Sequence, residues 1–373
     1  MRIRKPCAAQ TAGLGNIFSQ KNNKGEENET MKKILALVLV LIMALGLAAC
    51  AAPAAPAEEP TPAAEPETEK VDSQAILAEL KTPAEESNWE RTTSSQEVID
   101  FLKVVAEHSA GRIILDTTTF ATEAGTPISY MIISDVAPAS PADVPEDKGV
   151  VYVNCNIHSG EIEGKESMMI FAREVAQGKH DDLLKDLVVI IVPNSNPDGN
   201  DNLGKNRITT QFTPKLVGTR AEGNGLNVNR DMTKLETACG RTIVKLRNDW
   251  NPILFIDAHA TDGSYMRHAV TYNWGLNAGT DAELLAYNRD VFCSRALREG
   301  SYLASKGKVA VPYGNWGYYY SGIVAEGWRT FEDYARYTTN YAGLRNRLAL
   351  LLEVYSYDDF PVRVDTQYEC IYG

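Results

Sequence analysis

Three apolar runs rich in β-branched residues constrain the fold of this chain more than any other feature of its sequence. They cover residues 149–157, 187–192 and 253–257. None of them alternates polar with apolar residues, so each predicts a strand that is buried on both faces. Helix-like segments at 164–176 and 241–250 separate the runs. Strands that alternate with helices in this way predict a single α/β domain, with a mainly parallel, twisted mixed sheet and helices on both faces.

Weaker patterns extend this domain in both directions, and we expect it to cover residues 95–373. The spacing of apolar residues predicts a helix over 96–108, strands over 112–120 and 127–134, a helical region over 281–306 and a buried strand over 348–352. The segment 73–94 mixes helical and polar signals, and the sequence leaves its structure undefined.

The first 50 residues are predicted to direct export. Lys32 and Lys33 precede an uncharged run over 34–50, which is typical of a signal sequence. The run ends Leu-Ala-Ala-Cys at Cys50 and resembles the lipobox of bacterial lipoproteins, which implies lipidation of Cys50. A membrane-spanning helix is the alternative, but the run lies at the short limit for crossing a bilayer. We therefore expect a lipoprotein-type signal over 31–50.

The segments on either side of this signal are polar. Residues 1–30 are rich in Asn, Lys and Glu, which is unusual ahead of a bacterial signal, so we interpret them as a spurious extension upstream of Met31. Residues 51–72 are rich in Ala, Pro and Glu, bury almost nothing and predict an extended tether. The folded domain is therefore expected to lie outside the cytoplasm, attached to the membrane through a lipid.

Charge and cysteine content exclude some classes of function. The chain has 37 Lys and Arg against 49 Asp and Glu, for a formal net charge of −12. Polyanions would be repelled by such a chain, so we expect no nucleic-acid partner. Its 6 cysteines are too sparse for a disulfide scaffold, and their pairing cannot be derived from the sequence.

Metal-ligand residue types follow three of the predicted strands. His158 and Glu161 come directly after the first run, His259 follows the third, and Glu353 follows the run at 348–352. In parallel sheets ligands bind at the carboxyl ends of the strands. Hydrolytic zinc sites commonly use two histidines and one carboxylate and leave a position for water. The sequence therefore predicts one Zn²⁺ ion held by His158, Glu161 and His259.

Four motifs in this order resemble the zinc carboxypeptidase family, peptidase M14. They are His-Ser-Gly-Glu at 158–161, Asn-Arg at 229–230 within GLNVNRD, His259 within IDAH and Glu353 within ALLLEVYSY. The NPDG sequence at 196–199 is also similar. The resemblance covers the chain from about residue 95 to its end.

The resemblance implies a zinc metallocarboxypeptidase that hydrolyses C-terminal amino acids from peptides. His158, Glu161 and His259 would be the zinc ligands, and Glu353 would be the general base that takes the proton of the attacking water. Arg230, with Asn229, would bind the free C-terminal carboxylate of the peptide, because a planar guanidinium matches two carboxylate oxygens. For an exported enzyme, peptidoglycan stem peptides are a plausible substrate, on grounds of location alone.

Several assignments stay open in the sequence. Both Arg207 and Arg220 qualify as the arginine that stabilises the oxyanion. Three tyrosines compete for the role of capping the substrate, and they are Tyr334, Tyr337 and Tyr341. Asp257 is expected either to orient a ligand or to act as a capping carboxylate. The chain ends soon after Glu353, where the family continues into a terminal helix, so we expect either a truncated chain or one bare flank of the sheet.

Two other functions compete with the peptidase. A deacylase of N-acyl amino acids, similar to the aspartoacylase group, shares the histidine and glutamate pattern, but the Asn-Arg motif and the export signal argue against it. A non-catalytic binding lipoprotein would be expected to lack a ligand or the base, and neither is missing here.

Overall fold

A computed structural model describes residues 72–373, apart from 206, 209, 262–263 and 318–321. The predicted signal, its lipidation site Cys50 and the tether up to residue 71 lie outside the described residues. Within the part of the chain that is described, none of the helices combines the length and the hydropathy that crossing a bilayer requires.

Twelve strands are described. They are β1 (Ile113–Asp116), β2 (Tyr130–Ile133), β3 (Gly149–Cys155), β4 (Leu187–Val192), β5 (Gly204–Lys205), β6 (Leu216–Val217), β7 (Leu254–Thr261), β8 (Val270–Asn273), β9 (Ala310–Pro312), β10 (Asn315–Trp316), β11 (Trp328–Arg329) and β12 (Leu348–Tyr355). Eight of them form one sheet in the order β1-β2-β4-β3-β7-β12-β8-β9. The central strands β4, β3, β7 and β12 are parallel, whereas β1, β2 and β8 pair antiparallel with their neighbours towards the centre.

The helices connect these strands and flank the sheet. They are α1 (Ser73–Glu79), α2 (Pro83–Glu86), α3 (Ser95–Glu107), α4 (Glu163–Ala176), α5 (Asp181–Leu184), α6 (Pro197–Asp201), α7 (Ala238–Trp250), α8 (Ala282–Ala286), α9 (Cys293–Leu297), α10 (Tyr302–Ser305), α11 (Thr338–Leu344) and α12 (Phe360–Tyr372). A π-helical stretch, Tyr287–Phe292, joins α8 to α9. Short 3-10 turns cover Pro141–Asp143, Val228–Arg230 and Val324–Glu326.

Apolar side chains fill both faces of the sheet. On one face, Leu102 of α3 and Met169 of α4 lie in a buried cluster with Ile256 of β7. On the other face, Ile243 of α7 lies in a second buried cluster with Phe255 of β7. Neighbouring residues of β7 thus point into opposite layers, as the pleat of a strand requires. The predicted single α/β domain, with a mainly parallel mixed sheet and helices on both faces, is confirmed.

Local signals set the ends of two helices. Helix α3 begins with a capping box, in which Ser94 and Glu97 satisfy each other's backbone N–H groups. Helix α7 begins after Thr237, whose hydroxyl accepts a hydrogen bond from the Gly240 N–H at 3.0 Å. It ends at Asn251 in the left-handed conformation, with φ 45°. These boundaries lie close to those predicted from apolar spacing.

Other elements differ from the sequence prediction. The strands expected over 112–120 and 127–134 are shorter, because each is only partly hydrogen-bonded into the sheet as Ile113–Asp116 and Tyr130–Ile133. The helical region expected over 281–306 is divided, since Gly300 adopts φ 85° and Ser301 starts a new helix. The short strands β8 and β9, at one side of the sheet, have too few apolar residues to stand out in the sequence.

The sequence left open either a truncated chain or a bare flank of the sheet, and in the structure α12 follows Glu353 and packs against α4. Arg363 on this helix is paired with Glu163 of α4 through Nε and Oε1 at 2.6 Å, and both side chains are fully buried. Tyr368 also contacts Glu174 of α4.

The segment at 73–94, undefined in the sequence, forms α1 and α2, and Leu77 of α1 is completely buried in the core. All four cysteines of the described region are unpaired and buried.

Candidate metal centre and peptide-binding cleft

The turn after β3 brings two ligand-type side chains together. Asn156 adopts the left-handed conformation, with φ 60°, which bends the chain sharply as it leaves the sheet. Its amide Nδ2 donates to Asn194 Oδ1 at 2.8 Å and to Asn200 Oδ1 at 3.0 Å, so the bend is held by buried hydrogen bonds. His158 and Glu161 follow within this loop, ahead of helix α4.

Helix α4 then packs unusually close to the sheet below the loop. A Cβ atom at Gly164 would lie 2.7 Å from the Cβ atom of Ala258 and 3.1 Å from the side chain of Cys155. Only glycine fits at this distance without displacing β3 or β7. The close approach therefore places the loop that carries Glu161 directly over the end of β7, which carries His259.

His158, Glu161 and His259 converge on one point. One possible ligand atom from each lies within 4.8 Å of the others, and all three residues are buried. His158 Nδ1 lies 3.0 Å from Glu161 Oε1, and His259 Nδ1 lies 2.6 Å from Glu161 Oε2. The structure thus joins the three residues that the sequence predicted as zinc ligands.

The outer nitrogen of each imidazole is held by an oxygen. His158 Nε2 lies 3.1 Å from Asn227 Oδ1, which also accepts the backbone N–H of Asn229 at 3.0 Å. His259 Nε2 lies 2.9 Å from Asp257 Oδ2. Because both partners are acceptors, both Nε2 atoms donate, and both Nδ1 atoms are directed at the Glu161 carboxylate. Asp257, which the sequence left as either a ligand-orienting or a capping carboxylate, thus contacts a predicted zinc ligand directly.

This donor set fits a divalent cation. Burial lowers the pKa of His158 to about 4, and the positive charge of Arg220 adds to this, so His158 is neutral at physiological pH. With its Nε2 donating to Asn227, its Nδ1 lone pair faces a carboxylate oxygen, an arrangement that a shared cation stabilises. Two imidazole nitrogens and a carboxylate, with their outer nitrogens fixed by hydrogen bonds, are typical of zinc sites.

Electrostatic interactions within the cluster also favour a cation. Burial alone would raise the pKa of Glu161, but His158 and His259 outweigh it and hold that pKa well below its usual range. Burial likewise opposes protonation of His259, whereas Asp257 and Glu161 raise its pKa well above the usual value. The two carboxylates around His259 therefore create a buried site that attracts positive charge.

Glu353 lies beside this cluster. It is on β12 in parallel register with His259 on β7, and it lines the same cleft as His158 and Glu161. Burial raises the pKa of Glu353 to about 8, with Glu161 adding to the rise and His259 opposing it. A carboxyl group with a raised pKa next to a predicted metal site can exchange a proton near neutral pH.

A second part of the site contains Asn229 and Arg230. Both line the cleft with His158, Glu161 and Glu353, and the cleft has a volume of about 490 Å³. The Arg230 guanidinium carbon lies 4.2 Å from the centre of the Tyr337 ring, which supports the guanidinium from one side. A cationic fork next to a predicted metal centre suits a bound carboxylate.

Hydrogen bonds connect the two parts of the site. Asn229 Oδ1 accepts the backbone N–H of Thr338 at 3.0 Å, and the hydroxyl of the same Thr338 contacts Asp257. Asp257 in turn holds His259. The position of Asn229, and with it Arg230, is therefore fixed relative to one of the predicted zinc ligands.

The structure separates the alternatives that the sequence left open. Arg220 lines the cleft, and its Nη1 donates to Glu161 Oε1 at 3.1 Å, whereas Arg207 is exposed beside Gly204. Tyr337 is buried at the cleft wall. Tyr334 is 51% exposed, and Tyr341 packs on the far side of the sheet near Arg247. Arg220 and Tyr337 are the members of each set that reach the cleft.

Two contributors were missed by sequence reasoning. Asn227 and Thr338 are ordinary polar residues, one in a loop and one at the start of a helix, and their spacing does not indicate that they contact His158 and Asp257. Asn227 lies within GLNVNRD, two residues before Asn229, so its position in that motif was the available signal. Thr338 begins α11, far along the chain from Asp257, and only the tertiary structure brings the two together.

Comparisons with known proteins agree with this geometry. The zinc carboxypeptidase family model, Peptidase_M14, matches residues 112–253. No curated protein matches the chain at a significant level.

Among solved structures, the chain is similar to a metallo-carboxypeptidase from Burkholderia cenocepacia, with a TM-score of 0.55, 16% identity and coverage of 75% of this chain and 68% of that chain. A metallo-carboxypeptidase from Pseudomonas aeruginosa has a TM-score of 0.50 and 16% identity, over 72% of this chain and 66% of that one. Carboxypeptidase A from Helicoverpa armigera has a TM-score of 0.50 and 15% identity, and the match covers 80% of this chain and 75% of that one. The chain thus spans about two thirds of the length of the two bacterial proteins. At these identities, the likeness establishes the fold.

Proposed function

We propose that this chain, which belongs to the zinc carboxypeptidase family M14, removes C-terminal amino acids from peptides outside the cytoplasm. The observation that carries the proposal is the meeting of a cation-binding cluster, a carboxyl group and a fixed arginine in one cleft. These are His158, Glu161 and His259 for the metal, Glu353 for proton transfer and Arg230 for the substrate carboxylate.

The metal-binding residues are suited to one zinc ion. Bound there, zinc would supply a Lewis acid that activates water and polarises the scissile carbonyl. Asp257 and Asn227 keep the outer nitrogens of the imidazoles protonated, so the inner nitrogens stay available as ligands.

Glu353 is the proposed general base. Its pKa of about 8 is raised by burial, and a bound cation would lower it, which leaves the carboxylate able to accept a proton near neutral pH. It takes the proton from the attacking water and passes it to the nitrogen of the leaving amino acid. One carboxyl group thus acts first as a base and then as an acid.

Two arginines are proposed to act on the peptide. Arg230 binds the free C-terminal carboxylate through a bidentate pair and so selects chain ends. Arg220 lies over Glu161 at the rim of the cluster, with its side chain 51% exposed, and can turn towards a developing negative charge on the scissile carbonyl oxygen. Tyr337 supports Arg230 and forms the wall against which the terminal residue packs.

The deacylase alternative would use the same metal residues. Arg230, with its supporting Tyr337 and its link through Asn229 and Thr338, favours a substrate that ends in a carboxylate next to a peptide bond. The predicted lipoprotein-type signal supports an exported, lipid-anchored enzyme, for which peptidoglycan stem peptides are candidate substrates.

The test uses the full-length chain, loaded with zinc and solubilised in detergent. We expect release of the C-terminal amino acid from an N-blocked dipeptide, no release from the matching dipeptide amide, and loss of activity after chelation that zinc restores. Preferential hydrolysis of N-acetyl amino acids would support the deacylase instead. Zinc binding without hydrolysis of either substrate would support a binding protein.

A further inference from the structure

A second cavity lies at the opposite edge of the sheet from the zinc cluster. Its volume is about 200 Å³, and it lies where β7 and β12 begin, not where they end. The end of α7 and the loop between α11 and β12 form its walls. Its lining residues are Arg247, Asn248, Asn251, Pro252, Arg345 and Arg347. Half of these are arginines, and none of these described residues is acidic.

Arg247 is a buried cation without a carboxylate partner. The residue is 6% exposed, and its Nε and Nη1 atoms have no hydrogen-bond partner among the described residues. The rings of Phe255 and Tyr341 lie 4.9 and 5.0 Å from its guanidinium carbon. Burial lowers the pKa of Arg247 to about 10. Tyr341 and Tyr152 oppose this change, whereas the positive charges of Arg345 and Arg347 add to it. A buried charge in this state is costly unless it is compensated.

Arg363 shows how this protein treats a buried arginine that has only a structural role. It is 1% exposed, and its Nε pairs with Glu163 at 2.6 Å. Its Nη1 and Nη2 donate to the carbonyl oxygens of Asp358 and Thr213, each at 2.7 Å. Every nitrogen of Arg363 therefore has an acceptor, in contrast to Arg247, whose environment supplies two aromatic rings and two further cations.

The nearby acceptors do not neutralise the cavity. Asn251 Oδ1 accepts a hydrogen bond from Arg347, which orders that side chain at the rim without adding negative charge. Asp249, adjacent to a lining residue in the sequence, is paired with Lys245 at 2.5 Å. The Tyr152 hydroxyl, close enough for its pKa to respond to the charge of Arg247, is also buried without a partner. Three cations and unsatisfied donors thus surround a space that is large enough for a small ligand.

We propose that this cavity binds a small oxyanion of the phosphate or carboxylate class. Such an anion offers several acceptor oxygens, which match the forked donors of Arg345 and Arg347 and compensate the charge of Arg247. The cavity has no metal-ligand cluster, so binding there requires none of the chemistry of the peptide cleft. An anion that bridges the end of α7 and the start of β12 stabilises the folded domain.

The test measures thermal unfolding and titration calorimetry of the full-length chain in inorganic phosphate, with chloride adjusted to keep the ionic strength constant. Saturating phosphate is expected to raise the unfolding midpoint by about 2–4 °C, because the anion binds only the folded state. Acetate at the same ionic strength forms the second arm. A response to acetate and not to phosphate would assign the site to carboxylates, and the reverse would assign it to phosphates.

Paired variants locate the effect. The double variant Arg345→Gln with Arg347→Gln should weaken anion binding by about tenfold or more, whereas Arg295→Gln, at an exposed arginine on α9, should not change it. Anion binding that persists in Arg230→Gln is binding outside the peptide cleft, so failure of the peptidase proposal would leave this result intact. Equal binding by the double variant and the wild type, or no binding of either anion by the wild type, would overturn the proposal.

Discussion

The two ends of strands β7 and β12 carry opposite chemistry. At their carboxyl ends, His259 and Glu353 lie with Glu161 in a cluster of lone pairs and carboxylates that favours a cation. At their amino ends, Arg247, Arg345 and Arg347 surround a cavity with no acidic lining residue, which favours an anion. The comparison shows that one pair of parallel strands can carry a site for a cation at one end and a site for an anion at the other. This is possible because the loops at the two ends are separated by the apolar core and can differ in charge.

The strongest test of this contrast removes a metal ligand. His259→Ala should lose zinc and essentially all peptidase activity, because two remaining ligands cannot hold the ion tightly. Zinc content after gel filtration and release of an amino acid from a blocked dipeptide measure both effects. The matched control is His108→Ala, at a histidine that contacts Ser73 far from the cluster, and it should retain zinc. Retention of zinc by the His259 variant would remove this residue from the ligand set.

Glu353→Gln should separate catalysis from metal binding. The amide cannot accept the proton of water, so kcat should fall by about 10²–10⁴-fold while zinc content stays at one ion per chain. The substitution is nearly isosteric, so the shape of the cleft is kept. A rate close to that of the wild type would show that another group acts as the base.

Arg230→Ala tests whether the cleft recognises the C-terminal carboxylate of a peptide in addition to binding a metal. We expect kcat/KM for a peptide with a free C-terminal carboxylate to fall by about 10²-fold, since a charged hydrogen-bonded pair is lost. The rate for the corresponding amide, already low, should change little. A similar reduction for both substrates would exclude carboxylate recognition by Arg230.

Asp257→Asn should have a smaller effect on the metal. The amide can turn its oxygen to accept from His259 Nε2, but without charge, so zinc affinity should fall by about 10–100-fold. Competition with a chelator of known affinity measures the change, and kcat at saturating zinc should fall less. No change in zinc affinity would mean that Asp257 is only a structural carboxylate below the cluster.

The pH dependence of kcat/KM is the smallest of the expected effects. Its direction is nevertheless defined by the ionisation of Glu353. Glu353 must be ionised to act as a base, so activity should fall as the pH falls through its pKa. The acid limb should lie between the ordinary carboxyl value of 4.5 and the value of about 8 that burial produces, because a bound cation opposes burial. An acid limb at 4.5 or below would indicate that burial does not control this group.

The residues of the zinc site could be predicted from the sequence, because they lie directly at the carboxyl ends of strands that the sequence also predicts. Three apolar runs predicted the central strands, and His158, Glu161, His259 and Glu353 follow such runs directly. Their convergence then follows from the geometry of a parallel sheet. The signal and Cys50 lie outside the described residues, so their assignment stays a prediction.

The rest depends on contacts that are distant in sequence. Gly218, two residues before Arg220, packs against the Ser159 backbone and so brings its loop next to the zinc cluster. The sequence does not reveal this contact and therefore could not favour Arg220 over Arg207. The contact of Thr338 with Asp257 joins a helix start to a strand end. The amino-edge arginines gave no signal either, because arginines near helix ends and loops are common and only burial without a partner distinguishes Arg247.

The central claim is that two imidazoles and one carboxylate hold a single zinc ion beside Glu353. X-ray diffraction data from zinc-loaded crystals, collected on both sides of the zinc absorption edge, test this claim most directly. We predict one anomalous peak within ligand distance of His158 Nδ1, His259 Nδ1 and the Glu161 carboxylate. A zinc peak on other residues, with these three side chains still in direct contact with one another, would contradict it.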